Sequence, residues 1–363
     1  FTAFGHTAIR VRALDGPRLD ITYDYGTYNA SDPDAPLKFM QGKLPYWLSV
    51  GPTTDVVSWY GRAFSGITEQ VLELQPEQAQ MLAARLADNA RPEKREYAYH
   101  HFRDNCATRP RDLLDEALGG ALQRATIQAP SGATYRLLID RSMSWAPYFR
   151  WPVYGLLNGL IDLPISRWEQ MFLPAYLRDE LQELRVERDG AGPLPVVRAR
   201  RIIVGEDRPA RQPDPTPWVG LVVCLGLAAL CATPALLLRL PRLARVAQGL
   251  GLALWGLAAG GYGTLLAVAW AISPYPETKD NGNMLIFHPL LLLLVPAGLL
   301  VVAGKRIGRR LGEPLLLVAL LGLLLAALLD LSGATPQQLF GFSLAGASVT
   351  IPSWLGLRRV GRG

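Results

Sequence analysis

The chain has 363 residues, 50% of them hydrophobic, with 35 glycines, 28 prolines and a formal net charge of +6. That length allows two or more domains, and the basic excess sits in short clusters between apolar runs, which marks membrane topology and not nucleic-acid binding. No phosphate-binding glycine loop, dinucleotide fingerprint or paired Cys-x-x-Cys is present, and 4 histidines do not furnish a multi-histidine centre, so nucleic acid, ATP, NAD and metal are set aside and no cofactor is expected.

The chain opens on Phe1 and runs straight into a strand, so upstream residues, an export signal among them, are expected. His6 to Ala13 and Leu19 to Tyr28 read as two strands joined by the turn-forming run Asp15-Gly16-Pro17-Arg18. Counting back from that turn brings Tyr25 to Tyr28 opposite His6. Met81, Leu82 and Leu86 recur at helical spacing and predict a helix over Pro76 to Asn89. A second helix is predicted from Cys106 to Leu118, with Asp104 or Asn105 as N-cap and Leu113, Leu114 and Leu118 as its apolar face. The region is α+β. It ends in a linker rich in proline and arginine, Asp207 to Pro217, so the chain divides into residues 1–212 and 213–363.

Beyond the linker, five apolar segments each approach the roughly 20 residues that cross a bilayer as a helix. They are Trp218 to Leu238, Val246 to Ile272, Met284 to Ala303, Pro314 to Leu331 and Leu339 to Leu357. The fifth contains Pro352 and several polar residues, so a re-entrant or interfacial helix is its alternative. Arg239, Arg242 and Arg245 follow the first segment, Lys305, Arg306, Arg309 and Arg310 the third, and Arg358, Arg359 and Arg362 the fifth. The positive-inside rule puts these clusters in the cytoplasm and residues 1–212 outside. The intervening loop Tyr275 to Asn283 is unusually polar and leads to His288. An ionisable side chain at membrane depth is a functional candidate, against the alternative of a helix-end histidine at the lipid interface.

Cys224 and Cys231 lie in the first apolar segment, which leaves Cys106 as the lone thiol of the water-soluble part. It is either a buried bystander or a nucleophile. At the first turn of a helix, free N–H groups and the positive dipole end favour a thiolate and can hold the oxyanion of a tetrahedral intermediate. His6 would take the thiol proton and return it to the leaving group. His100 and His101 are rival bases. A third residue would hold the imidazole in its useful tautomer. Tyr25 is expected there from the hairpin count, with Asp24 as the alternative, which strand alternation points to the opposite face from Tyr25.

The runs FGHTAIRV, residues 4–11, and HFRDNCATRPRDLL, residues 101–114, resemble circularly permuted papain-like thiol enzymes, in which histidine precedes cysteine. Lecithin:retinol acyltransferase is one of that group. The chain resembles more fully the Lnb-type bacterial lipoprotein N-acyltransferases. The likeness extends to Tyr23-Asp-Tyr-Gly-Thr-Tyr28, to the run from Lys38 to Ser49, to Ile67-Thr-Glu-Gln-Val71, and to Asp280-Asn-Gly-Asn-Met-Leu285 followed by His288-Pro289-Leu290. The departure is at the N-terminus, where family members carry more sequence before the histidine.

The resemblance implies a permuted papain-like extracytoplasmic domain ahead of a helical transmembrane bundle, in the bacterial inner membrane with the N-terminal domain periplasmic. It implies Cys106 as nucleophile and His6 as base. Asn105, Arg109, Asn283 and His288 are the residues expected to contact substrate. The implied reaction moves an acyl chain from a membrane phospholipid to Cys106 as a thioester. The α-amine of a diacylated lipoprotein then takes it. A membrane-anchored cysteine hydrolase acting on peptidoglycan or lipid, or a non-catalytic membrane receptor, are the rival readings.

Overall fold

A computed structural model describes residues 4–13, 19–63, 66–143, 147–188, 192–206 and 240–360. The expected turn at 15–18, the linker at 207–217 and the first apolar segment with Cys224 and Cys231 lie outside the described residues. The chain divides into two compact units, Phe1–Trp145 with Pro164–Asp214, and Ala146–Leu163 with Pro215–Gly363. The stretch Ala146–Leu163, which a division at 212 keeps with the N-terminal part, therefore groups with the C-terminal unit.

The first unit is mixed α/β. It runs β1 (Ala8–Arg12), β2 (Asp20–Thr27), α1 (Ala35–Met40), β3 (Pro45–Pro52), α2 (Thr53–Ala63), β4 (Gly66–Leu72), α3 (Pro76–Asn89), β5 (Glu96–Ala98) and α4 (Thr108–Ala117). A 4-stranded antiparallel sheet has the order β1-β2-β3-β5, and β4 pairs separately with the strand Val197–Gly205. The helix predicted over Pro76 to Asn89 forms with those bounds. Pro76 sits at its first turn, where a missing N–H costs nothing, and Gln75 and Gln78 close a reciprocal capping box. Of the three apolar residues that predicted it, Leu82 and Leu86 are buried and Met81 is exposed.

The core of this unit lies between one face of the sheet and the helices α3 and α4. Tyr23, Tyr25 and Leu48 from the sheet meet Leu82, Leu86, Leu114, Ala117 and Leu118. Ile9 and Val11 pack against the same cluster, which accounts for the alternating pattern of β1. The other face of β2 meets α2, where the Thr22 and Thr53 hydroxyls hydrogen-bond at 3.0 Å.

In the second unit two helices are long and apolar enough to cross a membrane, Pro241–Ile272 and Arg306–Leu331. The pair Pro276–Leu285 and Pro289–Val302, bent by 48°, makes a third if it is one span. Five crossings were expected; the described residues give two or three, and the first expected segment is not among them. The fifth segment forms the helix Phe340–Val360, which contains Pro352.

Close helix contact in this unit rests on glycine. A Cβ on Gly249 would lie 2.5 Å from the Gly298 carbonyl oxygen, and one on Gly298 would lie 2.3 Å from the Gly249 oxygen. Only a residue without a side chain lets two backbones approach so closely. The polar loop is used internally: Asn158 Nδ2 donates to the Pro276 and Lys279 carbonyls at 2.8 and 2.6 Å, and Asn281 Nδ2 donates to the Gly155 and Leu156 carbonyls, both at 2.9 Å. These bonds tie the stretch Ala146–Leu163 to the rest of its unit.

Candidate active site

The register of the first hairpin places His6. Ala8 pairs with Asp24 and Ile9 with Tyr23, so even-numbered residues of β1 and β2 share one face and odd-numbered ones the other. His6, two residues before Ala8, comes off the strand on the even face. Its Nε2 hydrogen-bonds Asp24 Oδ1 at 2.5 Å. The Tyr60 hydroxyl of α2 donates to Asp24 Oδ2 at 2.8 Å, and the Tyr60 ring stacks on the imidazole with centroids 5.2 Å apart. Asp24 is thus held from two sides, and the imidazole is held by both Asp24 and Tyr60.

With Nε2 committed to Asp24, Nδ1 is the ring nitrogen left for the thiol. The charge of the Cys106 sulfur acts on the His6 ring. Burial opposes the charged imidazolium, but the negative sulfur and the bond to Asp24 outweigh it and push the His6 pKa up to about 10. The His6 and Asp24 side chains remain 21% and 12% exposed.

Two expectations change at this point. The position beside His6 that Tyr25 was expected to fill is taken by Asp24, because His6 follows the even face while Tyr25 lies on the odd one. Tyr25 is 1% exposed in the core, its hydroxyl accepting from Asn89 Nδ2 at 2.8 Å. The helix expected from Cys106 begins at Thr108, so the cysteine precedes it by two residues.

The reason for that late start is Asn105. Its Oδ1 accepts from the Ala107 and Thr108 N–H groups at 2.8 and 2.9 Å, and its Nδ2 donates to the His101 and Phe172 carbonyls at 2.7 and 2.9 Å. An asparagine side chain has two acceptor sites and two donor hydrogens, and here all are committed. Asn105, expected to contact substrate, instead clamps the loop that presents the thiol.

Cys106 packs against a bulge of β2. The register between β2 and β3 shifts between Tyr25 and Thr27, and the residue between them, Gly26, has φ +96°. A Cβ there would lie 3.2 Å from Cys106 Cβ, so this position needs glycine both for its backbone and for the approach of the cysteine. Arg109 is fixed by paired bonds to Asp104, Nε to Oδ1 at 2.5 Å and Nη2 to Oδ2 at 2.9 Å, and lies 3.7 Å over the Tyr97 ring.

The rival bases sit elsewhere. His101 meets Phe4, Phe102 and Phe172 edge-on, and His100 Nδ1 accepts from the Phe102 N–H at 3.3 Å. In the second unit, Asn283 Nδ2 donates to the Gly155 carbonyl at 2.9 Å, and Asn283 Oδ1 and both ring nitrogens of His288 are buried without a hydrogen-bond partner. Among the described residues no three His, Cys, Asp or Glu side chains gather as a metal site would require.

Tyr60, Gly26 and Tyr97 were missed from sequence. Tyr60 lies on α2, for which Thr53-Thr-Asp55 after Pro52 is the helix-start signal. Gly26 carries the signal of a lone glycine in a strand, which marks a bulge or a close backbone approach. Tyr97 carries none.

Comparison with curated proteins and with solved structures gave no match. A periplasmic domain followed by apolar helices fits an inner-membrane protein. Residues 2–141, which contain His6, Asp24, Tyr60, Tyr97 and Cys106, match the family model of the Lnb N-terminal periplasmic domain.

Proposed function

We propose that the chain is a lipoprotein N-acyltransferase with a permuted papain-like catalytic domain. The observation that carries this reading is the His6–Asp24–Tyr60 set of bonds, with the Cys106 sulfur close enough to act on the imidazole, inside residues that match the Lnb periplasmic domain. A thiol joined to an imidazole that is itself oriented by a carboxylate is the arrangement that nucleophilic acyl transfer uses.

The sulfur of Cys106 attacks the ester carbonyl of a phospholipid. The carbon–sulfur bond forms and the carbonyl electron pair moves to oxygen. Collapse of that intermediate breaks the ester bond, and the His6 imidazolium protonates the departing alkoxide, leaving a thioester and a lysophospholipid. The α-amine of a diacylglyceryl-cysteine then attacks the thioester. Its proton passes to His6, the amide forms, and the thiolate is regenerated beside the imidazolium. Asp24 keeps the ring turned so that Nδ1 faces the sulfur throughout, and no cofactor enters. The apolar helices supply the setting in which both lipid substrates reside, and Asn283 and His288 remain candidates for contact with them.

The test is the mass of the N-terminal peptide of a reporter lipoprotein made with and without the chain. One added acyl group is expected with the wild-type chain and none with Cys106→Ser. Release of muropeptides or of free fatty acid in place of that gain would support a hydrolase instead.

A further inference from the structure

Acyl transfer through a thiol needs a hydrogen-bond donor for the carbonyl oxygen, which turns negative when the carbon becomes tetrahedral. The helix start is short of such donors, because the Ala107 and Thr108 N–H groups already bond Asn105 Oδ1. Tyr97 of β5 offers another. Its hydroxyl is buried and has no hydrogen-bond partner. A Cβ built on Gly26 would lie 3.2 Å from Cys106 Cβ and 3.8 Å from the Tyr97 hydroxyl, so the two groups flank one point.

The ring is held for the task. Arg109, clamped by Asp104, lies 3.7 Å over the Tyr97 ring. Burial raises the Tyr97 pKa, Arg109 pulls it down, and the charge of Cys106 raises it again, for a net rise that keeps the hydroxyl a donor at any working pH. A buried polar group left without a partner is unfavourable, since it has given up its bonds to water. Such a vacancy is explained when the reacting state fills it.

We propose that the Tyr97 hydroxyl donates the hydrogen bond that holds the acyl oxygen as it becomes an oxyanion on Cys106. This rests on the reading of Cys106 as an acyl-accepting nucleophile, and not on which amine later takes the acyl group. No proton changes hands at Tyr97. The bond strengthens as charge gathers on oxygen during thioester formation, relaxes when the alkoxide leaves, and strengthens again when the amine attacks.

The experiment uses the full chain in detergent with three probes. Iodoacetamide alkylates Cys106 by displacement, with no oxyanion. p-Nitrophenyl octanoate acylates it through one. Phosphatidylethanolamine with a diacylated lipopeptide tests the whole transfer. Tyr97→Phe should leave the alkylation rate of Cys106 and its pH profile within about twofold of wild type, while acylation by the ester falls about a hundredfold. A parallel fall in alkylation, or unchanged acylation, would overturn the proposal.

As a control on packing, 3-fluorotyrosine at position 97 keeps the shape and the donor and should acylate within about threefold of wild type. A loss there as large as that of Tyr97→Phe would also overturn it. Wild-type chain that is acylated by the ester but transfers nothing to the lipopeptide would refute the lipoprotein reading alone, with the Tyr97 comparison still deciding this one. Wild-type chain that is alkylated but never acylated would refute both.

Discussion

On β2, Tyr23 and Tyr25 point into the core with Leu82, Leu86 and Leu114, whereas Thr22 and Asp24 on the opposite face meet Thr53, Tyr60 and His6. Burial does not separate these faces, since Asp24 is 8% exposed and Tyr25 1%. Partners do. The odd face closes an apolar cluster, while the even face pairs each polar group with another. A strand of period two thus carries the apolar core of the domain on one side and the candidate site on the other, and a shift of one residue exchanges the roles.

The comparison breaks most severely at Asp24. Asp24→Asn keeps the shape but replaces a charged acceptor with a group that can present its amide to His6 Nε2 and favour the wrong tautomer. Acyl transfer should fall by about 10³–10⁴-fold, the scale seen when an orienting carboxylate is neutralised in a catalytic triad. Alkylation of Cys106 followed alongside separates loss of the base from loss of the thiol. A loss under tenfold would show that Tyr60 stacking alone holds the ring.

Gly26 joins the two faces, since its bulge lets the chain pass Cys106. Gly26→Ala places a methyl 3.2 Å from Cys106 Cβ at φ +96°. Strained backbone of this kind costs about 1–3 kcal/mol, which denaturant unfolding would read as a lower midpoint. Because the methyl meets the cysteine itself, activity should fall more than stability explains, by about a hundredfold if the sulfur shifts by an ångström. Wild-type activity in the variant would mean that the loop yields without moving the thiol.

The even face also sets a pH dependence. The His6 pKa is raised to about 10, against the effect of burial, by Cys106 and Asp24. A group whose folded pKa lies above its unfolded value stabilises the fold fully below the unfolded pKa, about 6.5, and loses that contribution as pH rises through about 10. In the proposed reaction the imidazolium is also the acid that protonates the leaving alkoxide. Transfer should therefore decline about tenfold per pH unit above about 10, on a limb that belongs to the coupled Cys106–His6 pair. Asp24→Asn removes a negative partner, so its limb should move to lower pH. An alkaline limb that Asp24→Asn leaves in place would sever the link between Asp24 and His6.

Much of this was readable in the chain. Repeating apolar residues marked β1, β2 and α3, and Cys106 and His6 stood out as a thiol near a helix start and a histidine leading a strand. The third residue was misplaced although the needed rule, alternation along β2, was at hand. Residues opposite His6 across the hairpin become its neighbours only if they share its face, and His6 joins the even face with Asp24. Asn105 was readable as a cap, but not as a clamp on Phe172, whose carbonyl lies 67 positions away. Tyr60 and Tyr97 reach the site from α2 and β5 through tertiary packing, and no local pattern encodes that. Of the five apolar segments expected from composition, Val246 to Ile272 and Pro314 to Leu331 fall within helices apolar enough to span, but composition does not register the 48° bend between Pro276–Leu285 and Pro289–Val302.

The smallest effect is expected on the odd face, where the sequence first placed the third residue. Tyr25→Phe removes the hydroxyl that accepts from Asn89 Nδ2 at 2.8 Å and leaves the ring in the core. Asn89 is partly buried, so water can replace the lost acceptor, and stability should fall by about 1 kcal/mol, the net worth of one hydrogen bond. Acyl transfer should stay within about twofold of wild type, because nothing on this face touches the imidazole and losing one hydrogen bond here leaves the His6–Asp24 pair intact. Parallel measurement of unfolding and transfer decides the matter. A hundredfold loss of transfer with an unchanged unfolding midpoint would put Tyr25 in the reaction and undo the division of β2 into a structural and a chemical face.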